Sequence, residues 1–134
     1  MFKRWGVQGG SIKGYGSAEL SHLMAGLVVM ELFRADGSLG TFYEVHTGVA
    51  TSALAILGTE AQKAKYLPRA ITCEDHLAFA LTEPDYGSEA NALQMKAEKV
   101  PGGWSLTGTK RWIGIALHSD LILVWARDTA SHKI

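Results

Sequence analysis

The chain has 134 residues, 47% of them hydrophobic and 19% charged, which is the composition of a folded domain and argues against disorder. Thirteen basic residues balance thirteen acidic ones, so no net field draws the chain to nucleic acid or to an anionic membrane, and any anionic ligand has to be held by local groups. A single cysteine, Cys73, rules out an internal disulfide and fits a reducing compartment.

The first residues, MFKRWGVQGG, lack the apolar run of a targeting signal. The richest apolar stretch, Leu23 to Leu32, is broken by Glu31 and is too short to span a bilayer. These features read as an intracellular protein with no membrane span. Gly6, Gly9, Gly10, Gly14 and Gly16 predict a loop; no strand precedes them and they match neither the dinucleotide nor the Gly-Lys-Ser/Thr pattern, so they serve turns rather than phosphate.

From Ser17, apolar residues at Leu20, Leu23, Met24, Leu27, Val28 and Leu32 recur on one helix face, and Asp36-Gly37 supplies a stop. A second helix starts at Ser38 and runs to Gly58. Its small residues Gly48, Ala50, Ser52, Ala53 and Ala55 let another backbone approach, and His46 among them reads as a half-buried polar residue or one facing a ligand. A third helix opens on "TEAQ", where Thr59 and Gln62 form a reciprocal capping box. It should end near Tyr66, because Pro68 disfavours helical backbone at Leu67.

Beyond residue 76 the period changes from helix to strand. HLAFAL, the alternation through Leu93, Met95 and Ala97, WSLTG after a "VPGG" turn, and DLILVWA are four strand signals. The expected fold class is therefore α+β, with a helical part over residues 1–75 and the beginning of a β domain over 76–134. Strands are still accumulating at Ile134, which reads as the front part of a larger protein.

None of His22, His46, His76, His118 and His132 pairs at metal-ligand spacing and no cysteine pair exists, so no metal site is expected. No serine has nucleophile-elbow glycines, which lowers acyl-transfer hydrolysis. The chemistry concentrates instead in "FALTEPDYGSEA", residues 79 to 90, and "KRWIG", residues 110 to 114. A strand ending in Thr82 presents a hydroxyl and backbone amides to the edge of a flat heteroaromatic ring. Gly87 and Ser88 let backbone approach a phosphate or polar linker. Trp112 can cover a ring by stacking, although taken alone an aromatic of this size reads more readily as core.

In this order and spacing, "GTEAQKAKYLP", "LTEPDYGSEA", "GGWSLTGTK" and "RWIG" resemble the flavin-dependent acyl-CoA dehydrogenases and the related acyl-CoA oxidases. The resemblance covers essentially the whole chain, while the family's chains are much longer. It implies a helical N-terminal domain followed by the start of a middle β-barrel domain, with FAD bound between domains of a homotetramer. Phe79, Leu81 and Thr82 match the strand that lines the flavin ring, and Trp112, Ile113 and Gly114 match the segment packed against it. Ser88 matches a serine that contacts the CoA part of the substrate, so the expected cofactor set is Phe79, Leu81, Thr82, Gly87, Ser88, Trp112, Ile113 and Gly114, with Ser88 also binding substrate.

The implied reaction is α,β-dehydrogenation of an acyl-CoA to the trans-2-enoyl-CoA, in which a carboxylate removes the α-proton and a hydride leaves the β-carbon for FAD. The family's base lies beyond Ile134, so no catalytic residue is expected here and this exact stretch should be inactive alone. Glu83 and Glu89 read as turn-stabilising or solvent-facing. Many relatives carry Thr at Gly114 and Asn at Ile115. The arginine that anchors the distal carboxylate in glutaryl-CoA enzymes falls at Gly40, and Val45 to Gly48 sits at the acyl end of the pocket, which together imply a neutral acyl chain. Electrons would pass to an electron-transfer flavoprotein or, in an oxidase, to oxygen. The compartment would be the cytoplasm of a bacterium or the mitochondrion or peroxisome of a eukaryote. A truncated, non-catalytic interaction module is the reading from a different class, and its open sheet edge would favour association.

Overall fold

A computed structural model describes residues 2–134. Four α-helices come first: α1 (His22–Ala35), α2 (Gly37–Tyr43), α3 (Ser52–Leu57) and α4 (Glu60–Ile71). Five short strands follow: β1 (Leu77–Ala80), β2 (Lys96–Val100), β3 (Gly103–Thr107), β4 (Leu121–Val124) and β5 (Arg127–Asp128). The described residues fall into two compact units, one made of the chain up to Phe79 with Gly114–Ile122, the other of Ala80–Ile113 and Leu123–Ile134. No helix among the described residues is long and apolar enough to cross a membrane.

The glycine-rich start is a loop after a single 3-10 turn at Phe2–Trp5, and its five glycines all take positive φ. Helix α1 begins at His22, later than the Ser17 expected, because Ser21 is the residue whose side chain accepts from the Met24 amide. Asp36 does two jobs. Its own N–H donates to Leu32, ending α1, and its carboxylate accepts from Leu39 N at 2.8 Å, starting α2 in place of the predicted Ser38. The apolar face expected on α1 is largely uncovered in the described residues: Leu32 is buried, whereas Leu23, Met24 and Leu27 are exposed.

The predicted second helix is one helical path from Gly37 to Leu57, but its middle, Glu44–Thr51, is a π-helix that the residue spacing did not announce. Hydroxyls follow the wider turn. Thr51 Oγ1 donates to His46 O at 2.7 Å and Ser52 Oγ to Thr47 O at 2.9 Å, each bridging five positions. The capping box of α4 is present, with Gln62 N donating to Thr59 Oγ1 and Thr59 N to Gln62 Oε1. The helix does not stop at Tyr66; it carries Pro68 inside it and runs to Ile71. Leu67, Ala70 and Ile71 are 0, 0 and 1% exposed, and burying such side chains, at roughly 1.5–3 kcal/mol for each large one, offsets the roughly 3 kcal/mol disruption of an internal proline.

The first unit's core centres on Phe2, Leu32 and Tyr43, with Val28, Leu39 and Phe42 packed around them. Tyr43 also donates its hydroxyl to Val7 O at 2.7 Å, and burial pushes that phenol up to about 12. In the second unit, β2 pairs antiparallel with β3 across the predicted Pro101–Gly102 turn, in register from Lys96 opposite Thr107 to Val100 opposite Gly103, and parallel with β5. β1 and β4 form a separate two-stranded sheet. The strands do not close a barrel among the described residues, and every residue of β3 is exposed.

Candidate flavin-facing site

Strand β1 is buried at Leu77, Ala78 and Ala80 and only partly covered at Phe79. After it the chain turns sharply: Glu83 N donates to Tyr86 O at 3.0 Å and Tyr86 N returns to Glu83 O at 3.3 Å. The polar turn is therefore closed by its own backbone, which frees the Glu83 side chain to act elsewhere.

That side chain is the residue the sequence reading missed. Glu83 is 6% exposed, not solvent-facing. Its carboxylate accepts from Gln94 N at 2.6 Å, Met95 N at 2.8 Å and Lys110 Nζ at 2.9 Å, and Lys110 Nζ also donates to Leu81 O at 2.8 Å. Burial alone would raise the Glu83 pKa; the Gln94 and Met95 amides and the Lys110 ammonium outweigh it and hold the carboxyl below its ordinary range. The sequence signal was slight, an acid closing a strand and a lysine just before Arg111-Trp112.

The same pairing brings two predicted groups together. Arg111 N donates to Thr82 O at 2.9 Å, which sets the residue before Trp112 against Thr82; β1 ends at Ala80, two residues short of the strand end expected at Thr82, and Leu81 and Thr82 lie in the irregular chain after it. Leu81, Thr82 and Ile113 are half-buried. Trp112 is not core: it is 79% exposed, its backbone is left-handed at φ 61°, and the Arg111 guanidinium lies 4.4 Å from its ring centroid. The left-handed turn leaves the indole largely exposed, with the Arg111 guanidinium stacked over the ring.

Gly87 and Ser88 are exposed in the turn, and a β-carbon on Gly87 would meet nothing within 4 Å. The space over the turn is open to an incoming group. Gly114 belongs to the first unit, where a β-carbon would reach Val45 at 3.6 Å, ordinary contact that leaves room for the start of a side chain. Within the second unit the groups available to a planar ring with polar edges are a largely exposed indole carrying Arg111, the Thr82 hydroxyl just after β1, and an open glycine-serine turn.

His46 faces no ligand. It is 1% exposed, its Nδ1 accepts from Leu77 N at 3.0 Å, and its Nε2 lies 2.8 Å from Ala70 O, so the neutral ring with the proton on Nε2 satisfies both partners. Burial, the largest influence, lowers its pKa. Burial likewise pushes the Cys73 thiol up to about 11, which favours the protonated thiol at neutral pH. Among the described residues no cluster of three or more His, Cys, Asp or Glu side chains is arranged to hold a metal ion.

The helices, the strand-turn and the exposed tryptophan together define an α+β piece of a flavoprotein-type fold. The family description "Acyl-CoA dehydrogenase, N-terminal domain" matches residues 2–74, and "Acyl-CoA dehydrogenase, middle domain" matches residues 78–134; the chain belongs to the acyl-CoA dehydrogenase family. It is 38% identical over 113 residues to the mitochondrial isovaleryl-CoA dehydrogenase of Pongo abelii, covering 84% of this chain and 27% of that one. It is also 38% identical over 112 residues to the mitochondrial short/branched chain specific acyl-CoA dehydrogenase of Rattus norvegicus, covering 84% and 26%. Among solved structures, a glutaryl-CoA dehydrogenase from Mycobacterium smegmatis in complex with FADH2 superposes with a TM-score of 0.90 at 34% identity, over 96% of this chain and 33% of that one. An acyl-CoA dehydrogenase from Bacillus anthracis complexed with FAD gives 0.85 at 31% identity, over 95% and 22%. The chain thus spans about a quarter to a third of the length of these relatives.

Proposed function

We propose that the protein is an FAD-dependent acyl-CoA dehydrogenase acting on a neutral acyl thioester, with residues 1–75 forming the later part of its helical N-terminal domain and residues 76–134 the first part of its middle β domain. The observation that carries this reading is Trp112, an aromatic 79% exposed and held in a left-handed turn whose preceding residue, Arg111, bonds Thr82 O. Strand β3, with Trp104 and Leu106 half exposed, supports the domain assignment, since apolar strand residues of a larger β domain are covered by further strands.

FAD, when bound, supplies a two-electron acceptor for hydride from the β-carbon. The roles of this chain are positional. Phe79, Leu81 and Thr82 would help hold the ring, the Thr82 hydroxyl offering it a polar group. Trp112, Ile113 and Gly114 would help orient it and exclude water. Gly87 lets the turn come close to a phosphate or polar linker, and Ser88 donates to the CoA portion of the substrate. A carboxylate outside these residues removes the α-proton.

The preference for a neutral acyl chain is supported at Gly40, where the Phe33 ring occupies the space of any side chain. A basic anchor for a second carboxylate does not fit there. The test is an anaerobic absorbance titration of the whole purified protein with saturated acyl-CoAs of graded length and with glutaryl-CoA. Flavin bands that bleach with a monocarboxylic acyl-CoA, and not with glutaryl-CoA, are expected, and readmitting oxygen then separates an oxidase from a dehydrogenase that needs an electron-transfer flavoprotein. A protein that neither carries nor takes up FAD is a non-catalytic relative.

A further inference from the structure

We propose that the buried Glu83–Lys110 pair is a positioning device: it locks the Trp112 turn onto the end of strand β1 and thereby sets the affinity of the flavin-facing surface. The inference rests on the reading of Trp112 as a flavin contact. Within the second unit, the pair ties together three separate pieces of chain. The carboxylate holds the amides of Gln94 and Met95, the ammonium holds Leu81 O, and the two meet at 2.9 Å with side chains only 5 and 8% exposed. Lys110 is the residue before Arg111, whose amide bonds Thr82 O, so the clamp lies immediately behind the turn that presents the indole.

That turn needs holding. A bulky non-glycine residue at φ 61° is strained, and such a conformation persists only where the surroundings over-determine it. Trp112 is 79% exposed and gains little from core packing of its own, which leaves the Arg111 backbone bond, the stacked guanidinium and the clamp to fix it. A buried ion pair adds little net stability over an apolar substitute, because the desolvation of both charges offsets their attraction, but it does dictate one geometry. Neither residue touches the proposed ligand; both act through Leu81, Thr82 and Trp112.

The experiment compares Lys110→Met, the double variant Glu83→Gln/Lys110→Met, and Leu54→Ala as a control that destabilises the other unit, all in the whole protein. Three quantities are read: thermal midpoint, FAD affinity well below that midpoint, and hydrogen exchange at the Arg111 amide. Lys110→Met strands a buried carboxylate and should lower the midpoint; the double variant removes that charge and should recover most of the loss. If the pair positions Trp112, FAD affinity falls about tenfold or more in Lys110→Met, as loss of outer-shell support does at metal sites, and stays low in the double variant, while Arg111 exchange accelerates in both. Affinity that recovers along with stability, or that falls no further than in Leu54→Ala, overturns the proposal, as does unchanged Arg111 exchange. If the unmodified protein takes up no FAD yet Arg111 exchange accelerates, the clamp stands and the cofactor reading fails.

Discussion

The Phe33 ring lies where a side chain on Gly40 would begin: a β-carbon built there falls 2.5 Å from Phe33 Cγ. One helix thus fills the space left by glycine in the next, and Gly40 is buried although Phe33 itself is 45% exposed. Gly40→Ala should therefore destabilise by about 1–3 kcal/mol, the usual range for overpacking a close contact, despite alanine's better helix propensity. Phe33→Ala in the same background should restore most of it. Urea unfolding of the four members of that cycle measures the coupling; additive effects would mean the ring moves aside freely.

His46 makes the fold sensitive to mild acid. Its Nδ1 must stay unprotonated to accept the Leu77 amide, and burial sets its folded pKa below the ordinary 6.5. The unfolded chain therefore binds the proton first as pH falls. The stability from this site is complete above about 6.5 and is lost as the pH drops from there toward the folded value. His46→Gln should lower stability by about 2 kcal/mol at pH 7.5 through lost buried hydrogen bonds and should flatten the decline between pH 7 and 5. Denaturation midpoints across that interval in both proteins provide the check.

Local rules predicted much of the helical part and distant partners account for most of what they missed. The Thr59–Gln62 box was legible because both halves lie within one turn. Asp36 was read as a stop and not as the cap of the next helix, since one carboxylate serving two helix ends has no separate mark in the residue pattern. The π-helix at Glu44–Thr51 carries His46, which bonds both Ala70 and Leu77, contacts that periodicity within the segment cannot contain. At the candidate site, the motifs drew the eye to Thr82 and Trp112, but the burial of Glu83 depends on a lysine 27 positions away. Trp112 itself defied its hydrophobicity because backbone conformation, not side-chain preference, decides where its ring goes.

Pro68 tests how far tertiary burial overrides helix chemistry. It sits inside α4 with an exposed ring, while Leu67, Ala70 and Ile71 around it are buried. Pro68→Ala restores a backbone donor and removes the steric conflict with the preceding turn, at the expense of a more flexible unfolded chain. The net should be a gain of about 1–2 kcal/mol, seen as a higher thermal midpoint with no change in helix content by circular dichroism at 20 °C.

Ile115 carries a strain that its side chain does nothing to relieve. It is β-branched, only half-buried, and adopts φ 56° and ψ 6° at the start of the 3-10 turn Ala116–His118, where its carbonyl accepts from His118 N at 2.9 Å. The left-handed region sets Cβ against the following carbonyl and disfavours ordinary L-residues by roughly 1–2 kcal/mol; asparagine, with a short polar side chain, visits it far more readily. Ile115→Asn should therefore stabilise by about 1 kcal/mol, and Ile115→Gly by less because glycine also frees the unfolded chain. Ile115→Val keeps the β-branch and should give no gain. Chemical unfolding of the three variants decides it: if valine stabilises as much as asparagine, backbone strain at this position is not the cause.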